Sequence, residues 1–316
     1  MSKKILLSGI KPSGRPHIGN YFGMMKQIVD LQDDYNVFVL IADYHALNLI
    51  KDPQVMKENI VGILLDFLAI GLDPKKVTLV KQSDIADHTE LTWIFDTLTT
   101  VPYLMRAHAY KDAEAKNKIV SMGLFNYPVL MASDILLYDS QIVPVGSDQM
   151  QHIEIARDIA EKFNATYGET FVLPEALVMD DVAIVPGIDG RKMSKSYDNT
   201  IPLFAEYGDI QKLVMSIVTD SGDGVPTNVF AIHKLVRPIE ELETIYAEKK
   251  GKYKELKELL IADLEHFIAP LREKRKAFEE NSADALLLLE QGSDKARKIT
   301  SQKLADVKKK IGVDIR

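Results

Sequence analysis

The sequence predicts a doubly wound parallel α/β sheet followed by a C-terminal helical domain. Three observations carry this. Short apolar β-rich runs alternate with longer segments of helical period through the first half of the chain, the pattern of parallel strands joined by crossover helices. Several of the helical segments open on Pro or Asp, the usual entry signals. After about residue 205 the β signal nearly vanishes and helix formers take over.

Taken in order, Lys4–Leu7, Val37–Ala42, Val77–Val80 and Ile142–Val145 are short, largely apolar runs that read as buried strands. Between them Asn20–Asp34, Pro53–Ile70, His88–Thr99, Tyr127–Tyr138 and Asp148–Asn164 read as helices. Trp93 lies in an apolar stretch of the third of these and is expected in the core. Beyond residue 205 the clearest helices are Ile239–Lys249, Tyr253–Phe278, Ala283–Glu290 and Asp294–Ile311, and the Gly/Asp/Ser-rich stretch Asp220–Pro226 reads as a loop. The expected division is a sheet domain over 1–205 and a helical domain over 206–316. The junction near 180–207 carries Gly187, Gly190 and a cluster of basic and hydroxyl residues, and reads as a mobile loop. Sheets of this kind bind ligands at the carboxyl ends of their strands, so the loops that follow strands hold the first candidates.

Composition narrows the class. The 316 residues are 46% hydrophobic and 27% charged, enough to bury one large or two moderate cores. There is no Cys, which excludes disulfides and thiolate-bound zinc. No apolar run approaches the roughly 20 residues of a membrane span, and the apolar start is too short for a signal peptide. The expected compartment is the cytoplasm. The net charge of −7 argues against non-specific coating of nucleic acid, and its distribution is uneven. Residues 1–200 hold 19 Lys+Arg against 26 Asp+Glu, whereas residues 201–316 hold 20 against 20. The tail contains Lys295, Arg297, Lys298, Lys303, Lys308, Lys309, Lys310 and Arg316 against Asp306 and Asp314, either a phosphate-facing surface or a solvated helix face.

Three segments carry chemistry. The first strand runs into Ser8-Gly9-Ile10-Lys11-Pro12-Ser13-Gly14-Arg15-Pro16-His17-Ile18-Gly19-Asn20-Tyr21. Its glycines let backbone approach a ligand, His17 and Asn20 stand one helical turn apart, and the following helix offers free amides to an anion. A plain turn with a capping Asn is the alternative. Next, Gly190-Arg191-Lys192-Met193-Ser194-Lys195-Ser196 flanks a small turn with two lysines whose ammonium groups can follow charge building on a triphosphate. Between them lies Tyr127-Pro128-Val129-Leu130-Met131-Ala132-Ser133-Asp134, then Val143-Pro144-Val145-Gly146-Ser147-Asp148-Gln149. On a helix Tyr127, Met131 and Asp134 share one face. A phenol, a polarisable thioether and one carboxylate suit a flat heteroaromatic ligand with a single N–H. Asp148, at a strand-to-helix turn, can accept two ribose hydroxyls and also cap the helix. His152 reads as packed or capping, and His45, after the second strand, as pocket wall or structural histidine in equal measure.

These motifs resemble class I aminoacyl-tRNA synthetases, whose signatures read His-Ile-Gly-His and Lys-Met-Ser-Lys-Ser. Here they stand as His17-Ile18-Gly19-Asn20 and Lys192-Met193-Ser194-Lys195-Ser196, about 175 residues apart and bracketing the predicted sheet. Asn20 for the second His is similar to the tryptophanyl branch, and the 127–138 block matches that branch closely. The resemblance implies a Rossmann-like catalytic domain, the helical part being an anticodon-binding domain. It implies an ATP site of Lys11, Ser13, His17, Gly19, Asn20, Gly146, Asp148, Met193 and Ser194, with Lys192, Lys195 and Lys111 acting on the triphosphate. The tryptophan pocket would be Gly9, His45, Tyr127, Met131, Asp134, Val143, Val145 and Gln149. In it Asp134 takes the indole N–H, and Tyr127 and Gln149 the amino group. Magnesium would arrive with ATP, not in a protein cage. The partners are tRNA(Trp), L-tryptophan and a second copy of the chain in a homodimer.

Two departures stand out. Lys11 replaces the Gln of many tryptophanyl relatives, and the third triphosphate lysine aligns most simply with Ala113, leaving Lys111 and Lys116 as candidates. The rival functions are a tyrosyl-tRNA synthetase, a small-molecule adenylating relative without tRNA, and a catalytically inactive synthetase-like regulator that binds tryptophan or RNA. Intact Lys192, Lys195 and Asp148 speak against the last.

Overall fold

The computed structural model describes residues 3–117, 119–146, 149–178, 185–219 and 224–315. Five parallel strands form one sheet in the order β3-β2-β1-β4-β5: β1 Ile5–Ile10, β2 Asn36–Ile41, β3 Val77–Lys81, β4 Ile142–Val145 and β5 Glu175–Val178. β1 pairs with β2 from Ile5↔Asn36 to Ile10↔Ile41, and with β4 at Leu6↔Ile142. The order reverses between β1 and β4, so the crevice where such sheets bind ligands opens beside Gly9, Lys11 and Gly146. The edge strand β5 has no apolar run to announce it: its four residues are exposed or half-buried.

The helices of the sheet domain are α1 Ile18–Asn20, which passes through a π-helical turn Tyr21–Met25 into α2 Lys26–Leu31; α3 Asp43–Ala46; α4 Pro53–Ala69; α5 Asp87–Asp96; α6 Val101–Leu104; α7 His108–Ala115; α8 Met122–Leu136; and α9 Met150–Tyr167. They cover both faces. On one, Leu6, Val37, Val39, Val77 and Leu79 pack under α4, while on the other Leu7, Phe38, Leu40 and Val80 pack under α5, α8 and α9. Each fully buried Leu, Ile or Val here contributes about 1.5–3 kcal/mol.

The C-terminal part comprises α10 Tyr207–Met215, α11 Thr227–His233, α12 Ile239–Glu248, α13 Tyr253–Glu280 and α14 Ser282–Lys310. Its apolar residues Ile210, Val229, Leu260 and Leu264 continue the first face's core. Residues 220–223 of the expected loop lie outside the described residues. Lys257 ends α10 by donating to Met215 O at 2.9 Å and Ile217 O at 2.7 Å.

Three expectations change. Ala283–Glu290 and Asp294–Ile311 are not two helices but one continuous α14. Gly292, inside the expected gap, sits where α14 crosses the edge strand: a Cβ there would stand 1.9 Å from Leu79 O. Trp93 is 71% exposed on α5 instead of in the core. The basic tail is largely spent on the chain itself: Lys295 donates to Thr78 Oγ1 at 2.9 Å, Lys303 pairs with Asp139 at 2.7 Å, and Lys308 pairs with Glu90 at 2.5 Å.

Candidate active site

The loop after β1 becomes a helix through its own side chains. His17 Nδ1 accepts the Asn20 N–H at 3.3 Å while Asn20 Oδ1 accepts the His17 N–H at 3.1 Å, a reciprocal capping box. Using Nδ1 as an acceptor puts the ring proton of the neutral imidazole on Nε2. Burial, with Lys195 nearby, pushes the His17 pKa down to about 4, so the neutral form persists at physiological pH. Gly19 has no room for a side chain, since a Cβ would lie 2.9 Å from His17 Nδ1 and 3.5 Å from Met193 Cβ.

That last neighbour comes from the second motif. Residues 16–18 meet residues 201–203 through Ile18 N–H to Ile201 O and Leu203 N–H to Pro16 O, both 3.0 Å. Lys195 then reaches across the seam, its Nζ donating to Gly14 O at 2.8 Å and Ser13 O at 3.2 Å. Burial lowers the Lys195 pKa while Asp66 raises it. Asn199, 1% exposed, staples the loop: it donates to Asp189 Oδ1 at 2.7 Å and Lys192 O at 3.2 Å, and accepts from Ser194 N at 2.8 Å.

Across the crevice, α8 presents Tyr127, Met131 and Asp134. Tyr127 OH lies 2.7 Å from His152 Nε2, and its ring stands edge-on to His45 at 6.1 Å. Asp134 is 4% exposed and meets His45 Nε2 at 2.9 Å, Gln82 Nε2 at 2.8 Å and His88 Nδ1 at 2.7 Å. Burial works against its charge, but the two imidazoles outweigh burial and hold its pKa down to about 2.

A side-chain-capped helix, a basic turn docked against it through Lys195, and an aromatic cluster around one charged acceptor on α8 have the chemistry of an ATP-dependent amino-acid activator. The chain matches the family model of class I tRNA synthetases (W and Y) over residues 2–283. It is 48% identical over 316 residues to the tryptophan–tRNA ligase of Fusobacterium nucleatum, covering 97% of each chain. To that of Rhodopirellula baltica it is 46% identical, covering 98% of this chain and 99% of the relative. The chain belongs to the tryptophanyl-tRNA synthetases. Its fold is similar to the crystal structure of tryptophanyl-tRNA synthetase from Campylobacter jejuni complexed with ADP and tryptophan, with a TM-score of 0.91 at 43% identity over 98% of this chain and 99% of that one.

Within this synthetase the expected site residues divide by position. Gly9, Lys11 and Ser13 line the end of β1, and Val143 and Val145 are buried in β4 directly before Gly146, whose carbonyl accepts the Gln149 N–H at 2.9 Å. Lys11 is accessible to solvent, yet the protein around it desolvates its ammonium group and lowers its pKa. Met193 turns its side chain into the core, 4% exposed, while Lys192 and Ser194 remain on the loop surface. Asp148 lies outside the described residues. Of the two candidate lysines on the crossover, Lys116 is paired with Asp112 at 2.6 Å, while Lys111 stands exposed on α7 without an ion pair among the described residues; Ala113 is buried. Gln82, His88, Asn199 and Asp66 escape a sequence reading. The signal for Gln82 was topological, its place directly after β3, but the other three are recruited from distant segments.

Proposed function

We infer that the chain converts tryptophan and ATP to tryptophanyl-adenylate and pyrophosphate and then passes the tryptophanyl group to its tRNA. The tryptophan carboxylate oxygen bonds to the α-phosphorus as the bond to the pyrophosphate oxygen breaks; a terminal ribose hydroxyl of the tRNA then takes the acyl group and AMP leaves. No side chain need be a nucleophile, so the protein works by positioning and by charge stabilisation. The observation that carries this is the seam between the two motifs, with Lys195 Nζ seated on the Ser13 and Gly14 carbonyls. A triphosphate laid over the capped helix would draw Lys195 and Lys192 toward its leaving oxygens, with Lys111 as the third cation.

Other parts of the reading are also proposed. His17 Nε2 and the first amides of α1 face the phosphates, and Gly146 with Asp148 holds the ribose. Magnesium would enter with the triphosphate and neutralise its charge; among the described residues no cluster of His, Asp and Glu is arranged to hold a metal. Asp134 accepts the indole N–H, Tyr127 and Gln149 meet the amino group, and residues 206–316 serve as the anticodon-binding part. Trp93 at 71% exposure, with Val101 and Met105 also exposed on α6 and just after it, supports a homodimer face there. A cytoplasmic setting accords with the reaction. No helix among the described residues is long and apolar enough to cross a membrane.

The test is ATP–pyrophosphate exchange run with tryptophan, tyrosine and phenylalanine on the parent and on Lys195→Ala. The parent should exchange with tryptophan alone, and Lys195→Ala should slow adenylate formation roughly 10²- to 10³-fold, the usual scale for one transition-state charge contact. Faster exchange with tyrosine, or a normal rate in the variant, would remove the respective half of this reading.

A further inference from the structure

Asp134 carries the choice of amino acid, and it is held from three sides. Gln82, 0% exposed just past β3, reaches both carboxylate oxygens from one amide nitrogen, at 2.8 Å to Oδ1 and 3.0 Å to Oδ2, while its own carbonyl accepts the Tyr44 N–H at 3.1 Å. His88, 0% exposed in the first turn of α5, brings Nδ1 to 2.7 Å from Oδ1, a charge contact in which its N–H is not aimed at that oxygen. The other ring nitrogen of His88 lies 3.1 Å from the hydroxyl of Tyr138, whose ring is itself fixed against Phe38 at 5.1 Å. His45 meets Oδ2 at 2.9 Å. A carboxylate oxygen has about two lone-pair directions. Oδ1 accepts from Gln82 with the His88 ring held against it, while Oδ2 meets His45 and accepts the longer leg of Gln82.

We propose that Gln82 and His88 are specificity-determining positioning residues: Gln82, bridging both oxygens, and His88, held against Oδ1, fix the plane of the carboxylate so that it can receive the ring N–H of the incoming amino acid beside or in place of His45. This rests on the reading of Asp134 as the indole acceptor. Neither residue touches the substrate, and each acts through Asp134. Both are drawn from outside α8, so the acceptor is aimed by β3 and α5 together. The ionisable groups around Asp134 are His45 from α3 and His88 from α5, with Tyr138 just beyond α8 and Asp87 acting at one remove. His88 is one of two imidazoles that hold the Asp134 pKa down against burial, so losing its contact shifts that pKa upward from its present value.

The test isolates the N–H. Exchange kinetics are compared for tryptophan and for β-(3-benzothienyl)alanine, which replaces the ring N–H by sulfur at nearly the same shape, in folded variants checked by thermal melting. Asn places an amide nitrogen where His Nδ1 stands, and Gln places one where Nε2 stands. His88→Asn should therefore keep the preference for tryptophan, and His88→Gln should lower it about 10- to 100-fold, as expected when a charged hydrogen bond is disturbed. The KM for ATP should not move, and part of the loss should recover as pH rises. Gln82→Met, of similar volume without the donor, should also lose preference. Asp134→Ala, which has no acceptor, tests the reading beneath: if it keeps the preference, Asp134 does not receive the N–H. If Asp134→Ala loses the preference while His88→Gln and Gln82→Met keep it, the acceptor stands and the positioning proposal is overturned. A loss of equal size in His88→Asn and His88→Gln, unchanged with pH, is a packing effect and also overturns it.

Discussion

His17 caps a helix, and the tautomer that the cap requires is the one that the role proposed for it, a donor to the phosphates, would also need. Its Nδ1 accepts the Asn20 N–H, so a second proton can enter only by breaking the cap. Burial and Lys195 set the pKa at about 4 against an ordinary 6.5. A histidine whose folded pKa lies below its unfolded value binds fewer protons when folded. Its contribution to stability is complete above the unfolded value and is lost as pH falls from about 6.5 toward 4. Histidine NMR titration should give a midpoint for His17 near 4, with stability declining over that window. A midpoint at the ordinary value would mean that the ring is not locked as the cap requires.

At the scale of elements, α14 shows how one helix takes on a second duty. β3 is an edge strand, and an open edge is a row of unpaired backbone groups. α14 covers it closely: Ser293 Oγ accepts the Lys81 N–H at 3.3 Å and donates to Asp84 Oδ2 at 2.9 Å. In an isolated helix Gly→Ala stabilises by about 1 kcal/mol. Here the sign should reverse, because the new methyl would meet Leu79 O, and overpacking of this kind costs about 1–3 kcal/mol. Gly292→Ala should lower the urea midpoint at unchanged slope, and a raised midpoint would show that the contact is looser than this geometry. The same docking explains the basic tail. Lys303 and Lys308 hold α14 to Asp139 and Glu90, leaving fewer cations for nucleic acid than their number implies.

Over the whole molecule, α13 joins the helical part to the active-site seam. Arg275, 4% exposed, pairs with Asp66 on α4 at 2.6 Å, and Arg272 donates to Ala205 O, just after the segment that meets the first motif. Burial pushes the Asp66 pKa up and Arg275 opposes that; Arg15 and Lys195 add their charge. Removing one partner of a buried pair leaves an uncompensated group and costs about 3–5 kcal/mol, whereas replacing both is often nearly neutral. Arg275→Leu should therefore lower unfolding stability by about that amount, and adding Asp66→Asn should recover part of it, as read by urea denaturation. Equal stability of parent and single variant would mean that the pair bears no strain between the two halves.

What the sequence by itself determined is what local chemistry controls. Four of the five strand positions followed from short, largely apolar runs, and Ile142–Val145 coincides with β4 at both ends, while the edge strand β5 was not read. Tyr127, Met131 and Asp134 could be placed on one face because helical spacing is a property of neighbours along the chain. The two motifs were legible as strings, and so was the family they resemble. Tertiary structure alone decided what depends on distant partners. Residues 283–311 read as two helices because nothing local reveals that Leu79 lies against Gly292, and Trp93 reads as core because an apolar helix face looks alike whether it meets its own domain or solvent. The seating of Lys195 on Ser13 and Gly14, and the three side chains gathered around Asp134, arise where segments tens to nearly two hundred residues apart converge. A contact made by closing such loops leaves no periodic trace in either segment, so only the folded chain records it.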